Sequence, residues 1–185
     1  ALVTPVGRAR RGCETCGDLD LLATGADAAL MDDFVAHPQV ERVLGRGPTK
    51  SSVLLQGGFQ ADLRLVVPDS RGAALQYFTG SRAHNVAVRQ IAVRKGLELS
   101  EYGLFRDGER IASAAEHEVY EALGLSWMEP TLREDNGEVE AAGHDGLPSV
   151  VTEENLRGDL HTHTSLTDGV ASLREMIAAA ERRGY

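Results

Sequence analysis

Two aspartates one residue apart, Asp18 and Asp20, stand in the stretch Gly-Asp-Leu-Asp-Leu-Leu-Ala-Thr-Gly, residues 17–25. In an extended strand, residues i and i+2 point to the same side. Both carboxylates would therefore share one face, with Leu19 and Leu21 on the other. Adjacent carboxylates repel, which raises a pKa unless a cation lies between them. A third carboxylate, Asp62, heads the apolar run of QADLRLVV, residues 60–67. Hard divalent cations such as Mg²⁺ or Mn²⁺ prefer oxygen ligands, and three aspartates from two strands suit a two-metal site for in-line phosphoryl displacement. Asp-x-Asp alone is equally at home in a solvated turn, so the weight falls on its surroundings.

Those surroundings carry the matching chemistry. The preceding stretch, PVGRARRGCETCGD, interleaves Gly7, Gly12 and Gly17 with Arg8, Arg10 and Arg11. Glycine lets a backbone approach a ligand closely, and arginine pairs phosphate oxygens in bidentate fashion. An Arg-rich turn beside an Asp-x-Asp strand is what a metal-bound triphosphate would need. Cys13 and Cys16 form a single C-x-x-C with no second pair, and read as ordinary thiols in a loop. Near the other end lies GDLHTHTSLTDG, residues 158–169. His161 and His163 are i and i+2 on an expected strand, and Asp168 follows five residues later. Two imidazoles and a carboxylate suit Zn²⁺, Mn²⁺ or Fe²⁺.

The elements that must hold these residues follow from the hydrophobic pattern. Residues 26–37 read as a helix, capped by Asp27 and ended by Pro38. Strands at 40–44, 52–56 and 60–67 follow, with turns at Gly-Arg-Gly-Pro (45–48) and Gly57-Gly58. The arrangement predicts a small mixed sheet with all three aspartates at one end. Residues 71–79 read as helical, and Ser81 caps a helix over 82–95 that Gly96 stops. Short strands at 97–100, 102–105 and 109–112, the last two joined by the Asp107-Gly108 turn, precede a helix over 114–123. An amphipathic helix spans 170–183.

Charge is unevenly distributed. The net charge is −9, yet residues 129–159 hold nine acids against Arg133 and Arg157, which is −7 and leaves only −2 elsewhere. Residues 81–95 carry Arg82, Arg89, Arg94 and Lys95 without one acid. The acidity reads as a connector, and the basic helix is free to meet nucleic-acid phosphate. With no apolar run of about 18 residues and no leader-like start, the expectation is a cytoplasmic protein that meets no membrane.

Taken together, GRARRGCETCGDLDLL, ADLRLVV, YFTGSRAHN and GLELSEYGLF, in this order, resemble the palm and thumb of family X DNA polymerases, the DNA polymerase beta relatives. GDLHTHTSLTDG resembles the opening of a PHP (polymerase and histidinol phosphatase) domain, a combination found in the bacterial branch of the family. The resemblance implies an α+β fold: a nucleotidyltransferase-like palm over residues 1–68, a small α+β thumb over 69–130, an acidic linker over 131–157 and the first strand and helix of a PHP barrel over 158–185. It implies template-directed nucleotidyl transfer to a primer 3′-hydroxyl in gap filling and base-excision repair, by a monomer whose partners are DNA and a dNTP.

Carried over by position, Asp18, Asp20 and Asp62 would hold two Mg²⁺ or Mn²⁺ ions. Gly7, Arg11 and Gly17 would meet the triphosphate. Tyr77, Phe78 and Gly80 would pack against the sugar, and Asn85 would reach the minor-groove edge of the base. Arg64, Arg82 and Arg89 would contact DNA. His161, His163 and Asp168 match the first ligands of the PHP site, where Mn²⁺ or Zn²⁺ would sit, and three ligands of a larger set are expected to leave exonuclease activity absent. Two positions depart from the pattern: Arg8 stands where the family usually has serine, and Gln60 where arginine is frequent. Other readings are a non-catalytic DNA-binding module and a PHP-type phosphoesterase.

Overall fold

The computed structural model describes residues 2–185 and divides into two compact units, Ala1–Leu147 and Pro148–Tyr185. The first unit opens with a five-stranded sheet: β1 (Leu2–Pro5), β2 (Asp18–Thr24), β3 (Val40–Arg46), β4 (Lys50–Leu55) and β5 (Gln60–Val66), in the spatial order β1-β2-β5-β4-β3. Only β2 and β5 run parallel; every other pairing is antiparallel. Helix α1 (Gly7–Arg10) bridges β1 to β2, and α2 (Ala29–Val35) follows β2. The helix is shorter than the expected 26–37 and its N-cap is Ala28 rather than Asp27; Asp27 Oδ1, one residue further out, accepts the Ala29 N–H at 3.0 Å.

Strand alternation divides the sheet into two coats. Leu21, Ala23, Leu63 and Leu65 pack with Leu30, Met31 and Phe34 on the α2 side. Leu22 and Val66 face the other way, and pack with Val6 and with Ala74, Leu75 and Phe78 of α3 (Arg71–Thr79). By the same period of two, Asp18, Asp20 and Asp62 lie on the α3 side. The sequence reading missed β1 and took residues 7–10 for a turn. Glycine at the head of α1 and three arginines in six residues conceal a single helical turn, which the Val6 N–H to Asp20 C=O bond of 2.8 Å fixes against β2.

The second half of this unit contains α4 (Arg82–Arg94), a three-stranded sheet of β6 (Glu98–Ser100), β7 (Gly103–Arg106) and β8 (Glu109–Ala112), then α5 (Glu116–Ala122) and α6 (Glu138–Ala142). Ser81 Oγ accepts the His84 N–H at 3.2 Å, so the expected cap forms. The core gathers Val88, Ala92, Leu104, Tyr120, Leu123 and Met128 with Val139 and Ala142. Those last two residues overturn the first part of the linker expected over 131–157, since residues up to Leu147 belong to this unit. Arg133 is wholly buried, Glu138 nearly so, and α6 packs into the core. Acidic composition hides this because its key charges are paired inside rather than solvated. The α+β character with a mixed sheet is as expected.

The second unit is built on α7 (Leu173–Arg182), with Ser172 and Glu175 in a reciprocal capping box. No residue of 148–185 is buried. The strand expected at His161-Thr-His163 does not form. A lone strand leaves its backbone donors and acceptors unpaired, and here the His161 N–H turns to Asp159 Oδ1 at 3.0 Å. Among the described residues no helix is long and apolar enough to cross a membrane.

Candidate active site

The site begins at the parallel pairing of β2 with β5, whose register sets Asp20 opposite Asp62 and Asp18 opposite Gln60. Burial pushes the Asp20 carboxyl up, and the neighbouring Asp18 and Asp62 push it further. Arg64 and Lys50 pull it partly back. Asp62 behaves oppositely. Burial alone would raise it, but bonds from Gln60, Lys50 and Ser52 hold it below the usual carboxylate range. Gln60 Nε2 donates to Asp62 Oδ1 at 2.9 Å, and Lys50 Nζ lies 3.1 Å from Oδ2. Gln60, standing where the resemblance would have arginine, therefore still orients this carboxylate.

These donors fit a divalent cation: hard oxygens, one half-buried carboxylate destabilised by two anionic neighbours, and one held in place by hydrogen bonds. Among the described residues, however, no three His, Cys, Asp or Glu side chains converge into a ready metal cluster. Asp18 is exposed, and Lys50 takes up one oxygen of Asp62.

Gly7 begins α1 with φ +62°, and a Cβ there would meet Asp20 Oδ2 at 2.8 Å. Both the left-handed backbone and the close approach require glycine. Gly7→Ala is expected to cost about 1–2 kcal/mol through the backbone alone and to displace Asp20. A drop in the urea midpoint checks the first, and a shift of the Asp20 side-chain carboxyl resonance checks the second.

An open cleft of about 520 Å³ lies beside Asp20. Gly7, Arg8 and Arg11 line one side of it; Tyr77, Phe78 and Gly80 line another; Arg82, Asn85 and Arg89 from α4 complete it. Arg11 is anchored rather than loose. Its Nη1 donates to the Thr79 carbonyl at 2.5 Å and its Nε to Glu134 at 2.6 Å. Arg10, its neighbour, donates to Thr79 Oγ1 at 2.6 Å and makes a forked contact with Glu116 at 2.8 and 2.9 Å. Glu116 also receives Arg133 Nη1 at 2.6 Å. This trio, in which Glu116 and Arg133 are buried and Arg10 partly so, ties α1 to α5 and to the stretch before α6. Residues 77–81, which edge the cleft, are held between them, since the Ser81 N–H donates to the Arg133 carbonyl at 2.9 Å.

The aromatic pair at the cleft is edge-to-face, with Tyr77 and Phe78 ring centres 5.0 Å apart. Arg64 stacks over Phe78 at 4.5 Å and Arg89 lies 5.9 Å from the Tyr77 ring centre. Thus, of the residues singled out from sequence, Gly7, Arg11, Asp20, Tyr77, Phe78, Gly80, Arg82, Asn85 and Arg89 share one cleft. Asp18 and Asp62 flank Asp20 on the sheet, outside the lining. Arg64 reaches the cleft only through Phe78. Gly17 is exposed ahead of β2, a Cβ there would meet nothing within 4 Å, and it is not in the lining of this cleft. In the second unit, His163 Nδ1 lies 2.6 Å from Asp168 Oδ1, and the His161 and His163 rings are 4.9 Å apart. The three do not converge as a metal cluster.

Sequence reading missed Lys50, Glu116 and Glu134 as partners of the site. Each acts across more than ten residues of chain, and none sits in a motif. Only the unbalanced arginines of residues 7–12 hinted that buried acids must exist elsewhere.

The DNA polymerase beta thumb family matches residues 74–134. The chain is 36% identical over 184 residues to the DNA polymerase/3′-5′ exonuclease PolX of Bacillus subtilis, covering 97% of this chain and 32% of that protein. It is 32% identical over 170 residues to DNA polymerase lambda of Rattus norvegicus, covering 72% of this chain and 29% of the relative. A shorter match, 37% over 65 residues, is to DNA polymerase IV of Saccharomyces cerevisiae, covering 35% of this chain and 11% of the relative. The chain spans about a third of the length of the first two of these relatives. With the thumb family matched and the Bacillus subtilis relative 36% identical over 97% of the chain, the chain belongs to the bacterial family X DNA polymerases.

Proposed function

We propose that this chain carries the nucleotidyl-transfer centre of a DNA-directed DNA polymerase, extending a primer 3′-hydroxyl by one dNTP across a short gap, as in base-excision repair. The observation that carries this reading is the register of Asp20 against Asp62 beside an arginine- and glycine-lined cleft. Divalent cations, Mg²⁺ or Mn²⁺, would supply charge stabilisation at the α-phosphate and on the departing pyrophosphate when held by Asp18, Asp20 and Asp62.

The chain's own residues do the rest. Asp62, kept ionised by Gln60 and Lys50, is the carboxylate placed to ease deprotonation of the primer hydroxyl. Gly7 lets the backbone of α1 come close to Asp20, where the triphosphate would lie. Arg11, fixed by Thr79 and Glu134, offers its remaining donors to phosphate oxygens, and Arg8 at the same wall adds a second cation. Tyr77 and Phe78 present an apolar surface for the sugar. Arg82 and Arg89 on α4 and Arg64 behind Phe78 provide the cationic track for the DNA backbone. His161, His163 and Asp168 resemble the opening of a PHP-type metal set, but they do not converge here and no step is assigned to them.

The test is single-nucleotide extension on a one-nucleotide gapped duplex with Mg²⁺ or Mn²⁺, together with calorimetry of Mg²⁺–dNTP binding. Template-matched incorporation is the expected result. Absence of both incorporation and metal–dNTP binding would instead favour a DNA-binding module without catalysis.

A further inference from the structure

Behind the cleft runs a line of polar side chains sealed from solvent. His84 is wholly buried on α4, with Nδ1 2.7 Å from Glu138 Oε1 and Nε2 2.9 Å from the Tyr120 hydroxyl. Glu138 also accepts the backbone N–H groups of Asp135 and Asn136, at 3.0 and 2.7 Å. With backbone N–H donors on both of its oxygens, Glu138 meets His84 as an acceptor. This fixes the tautomer: His84 donates from Nδ1, and its Nε2 accepts the Tyr120 O–H. Gln76, 1% exposed, turns its amide toward the Tyr120 oxygen and donates from Nε2 to Asn85 Oδ1 at 2.8 Å. Asn85 Nδ2 in turn donates to the Tyr77 carbonyl at 2.6 Å.

The directions of the two bonds at His84 and of the two at Asn85 are determined. A carbonyl cannot donate, so the atom of Asn85 against Tyr77 is nitrogen, and its oxygen is then the atom that Gln76 holds. One Asn85 N–H is left uncommitted in a residue that lines the cleft. Acceptors at purine N3 and pyrimidine O2 occur on the minor-groove edge of every base, so an N–H donor is the useful group to present there. An amide released from Gln76 is held by its Tyr77 bond alone, which leaves it free to rock and aims the second N–H less sharply.

We propose that Gln76 is a positioning residue, backed by Tyr120, His84 and Glu138, which locks the amide of Asn85 with its donor available to the incoming base. The proposal rests on the reading of the cleft as a nucleotide site with Asn85 at the base. No single motif of the sequence announces it: residues 76, 84, 85, 120 and 138 come from four helices.

Two measurements test it. In single-nucleotide gap filling, Gln76→Leu is expected to raise the KM for dNTP about fivefold, the value of one neutral hydrogen bond, while leaving kcat within about twofold. Gln76→Glu, which keeps the size and polarity but loses the N–H, should behave like Gln76→Leu. In an Asn85→Ala background, Gln76→Leu should add nothing. A wild-type KM in Gln76→Glu, or independent additive losses in the double variant, would overturn the proposal. Second, the side-chain amide resonances of Asn85 in the substrate-free protein should move in Gln76→Leu; unmoved resonances would also overturn it. The resonance test needs no catalysis. A wild-type protein that incorporates no nucleotide therefore refutes the proposed function, while the fate of the Asn85 lock is still decided by the spectra.

Discussion

Asp62→Ala is expected to lower single-nucleotide incorporation by at least about a thousandfold, because the group removed is both a cation ligand and the carboxylate nearest the primer hydroxyl in the proposed reaction. The fold should survive. Asp62 takes its bonds from Gln60 and from Lys50, whose side chain is 45% exposed and returns to water when its partner is lost. Far-ultraviolet circular dichroism and the urea midpoint should therefore stay near wild type. Asp20→Asn is expected to act as strongly, for a different reason. It keeps the volume that packs against Gly7 but removes the charge that Asp18 and Asp62 surround. Incorporation by a folded Asp62→Ala protein at the wild-type rate would remove these aspartates from the chemistry.

The largest expected loss of stability lies elsewhere, in Glu116→Ala. Glu116 is 8% exposed and is shared by Arg10 and by the wholly buried Arg133. Removing the acid leaves a buried guanidinium without its counter-ion, a change that costs about 3–5 kcal/mol. The urea midpoint at neutral pH should fall accordingly, and an unchanged midpoint would show that the trio is not structural. The same group makes stability depend on pH. Burial would raise the Glu116 carboxyl, but Arg10 and Arg133 outweigh it and bring it down to about 2 from 4.5. The folded state therefore binds the proton less readily than the unfolded chain. Its contribution is whole above about pH 4.5 and fades as the pH falls toward 2, by about 3 kcal/mol in all. Glu116→Gln should remove this part of the acid sensitivity, read as a flatter dependence of unfolding free energy on pH in that window.

Both predictions meet at the cleft. Arg10 joins Glu116 to Thr79, while Arg11 holds the carbonyl of the same threonine and lines the cleft. The acid that stabilises the fold thus also fixes the backbone edge past which a nucleotide would slide. That coupling explains why residues 129–147, which read as an acidic connector, are folded into the first unit. Glu134 anchors Arg11 and Glu138 anchors His84. Three acids of differing burial do three jobs that a net charge cannot reveal.

What the sequence determined by itself is local. The i, i+2 spacing of Asp18 and Asp20 on a strand, Asp62 at the head of another and the Ser81 cap of α4 each follow from residues a few positions apart, and geometry of period 2 or 3.6 carries that information directly. The ordered set of segments also pointed to the family before any contact was known. The tertiary structure decided what long-range partners decide. It placed Asp20 opposite Asp62 by strand register, brought Arg10 and Arg133 together onto Glu116, and set Gln76 directly against Asn85. It also left the His161–His163 segment without a strand, because no neighbouring strand meets its backbone there. A buried charge or amide is legible in sequence only as a polar residue; its partner, and hence its meaning, exists only once burial has made the pairing obligatory.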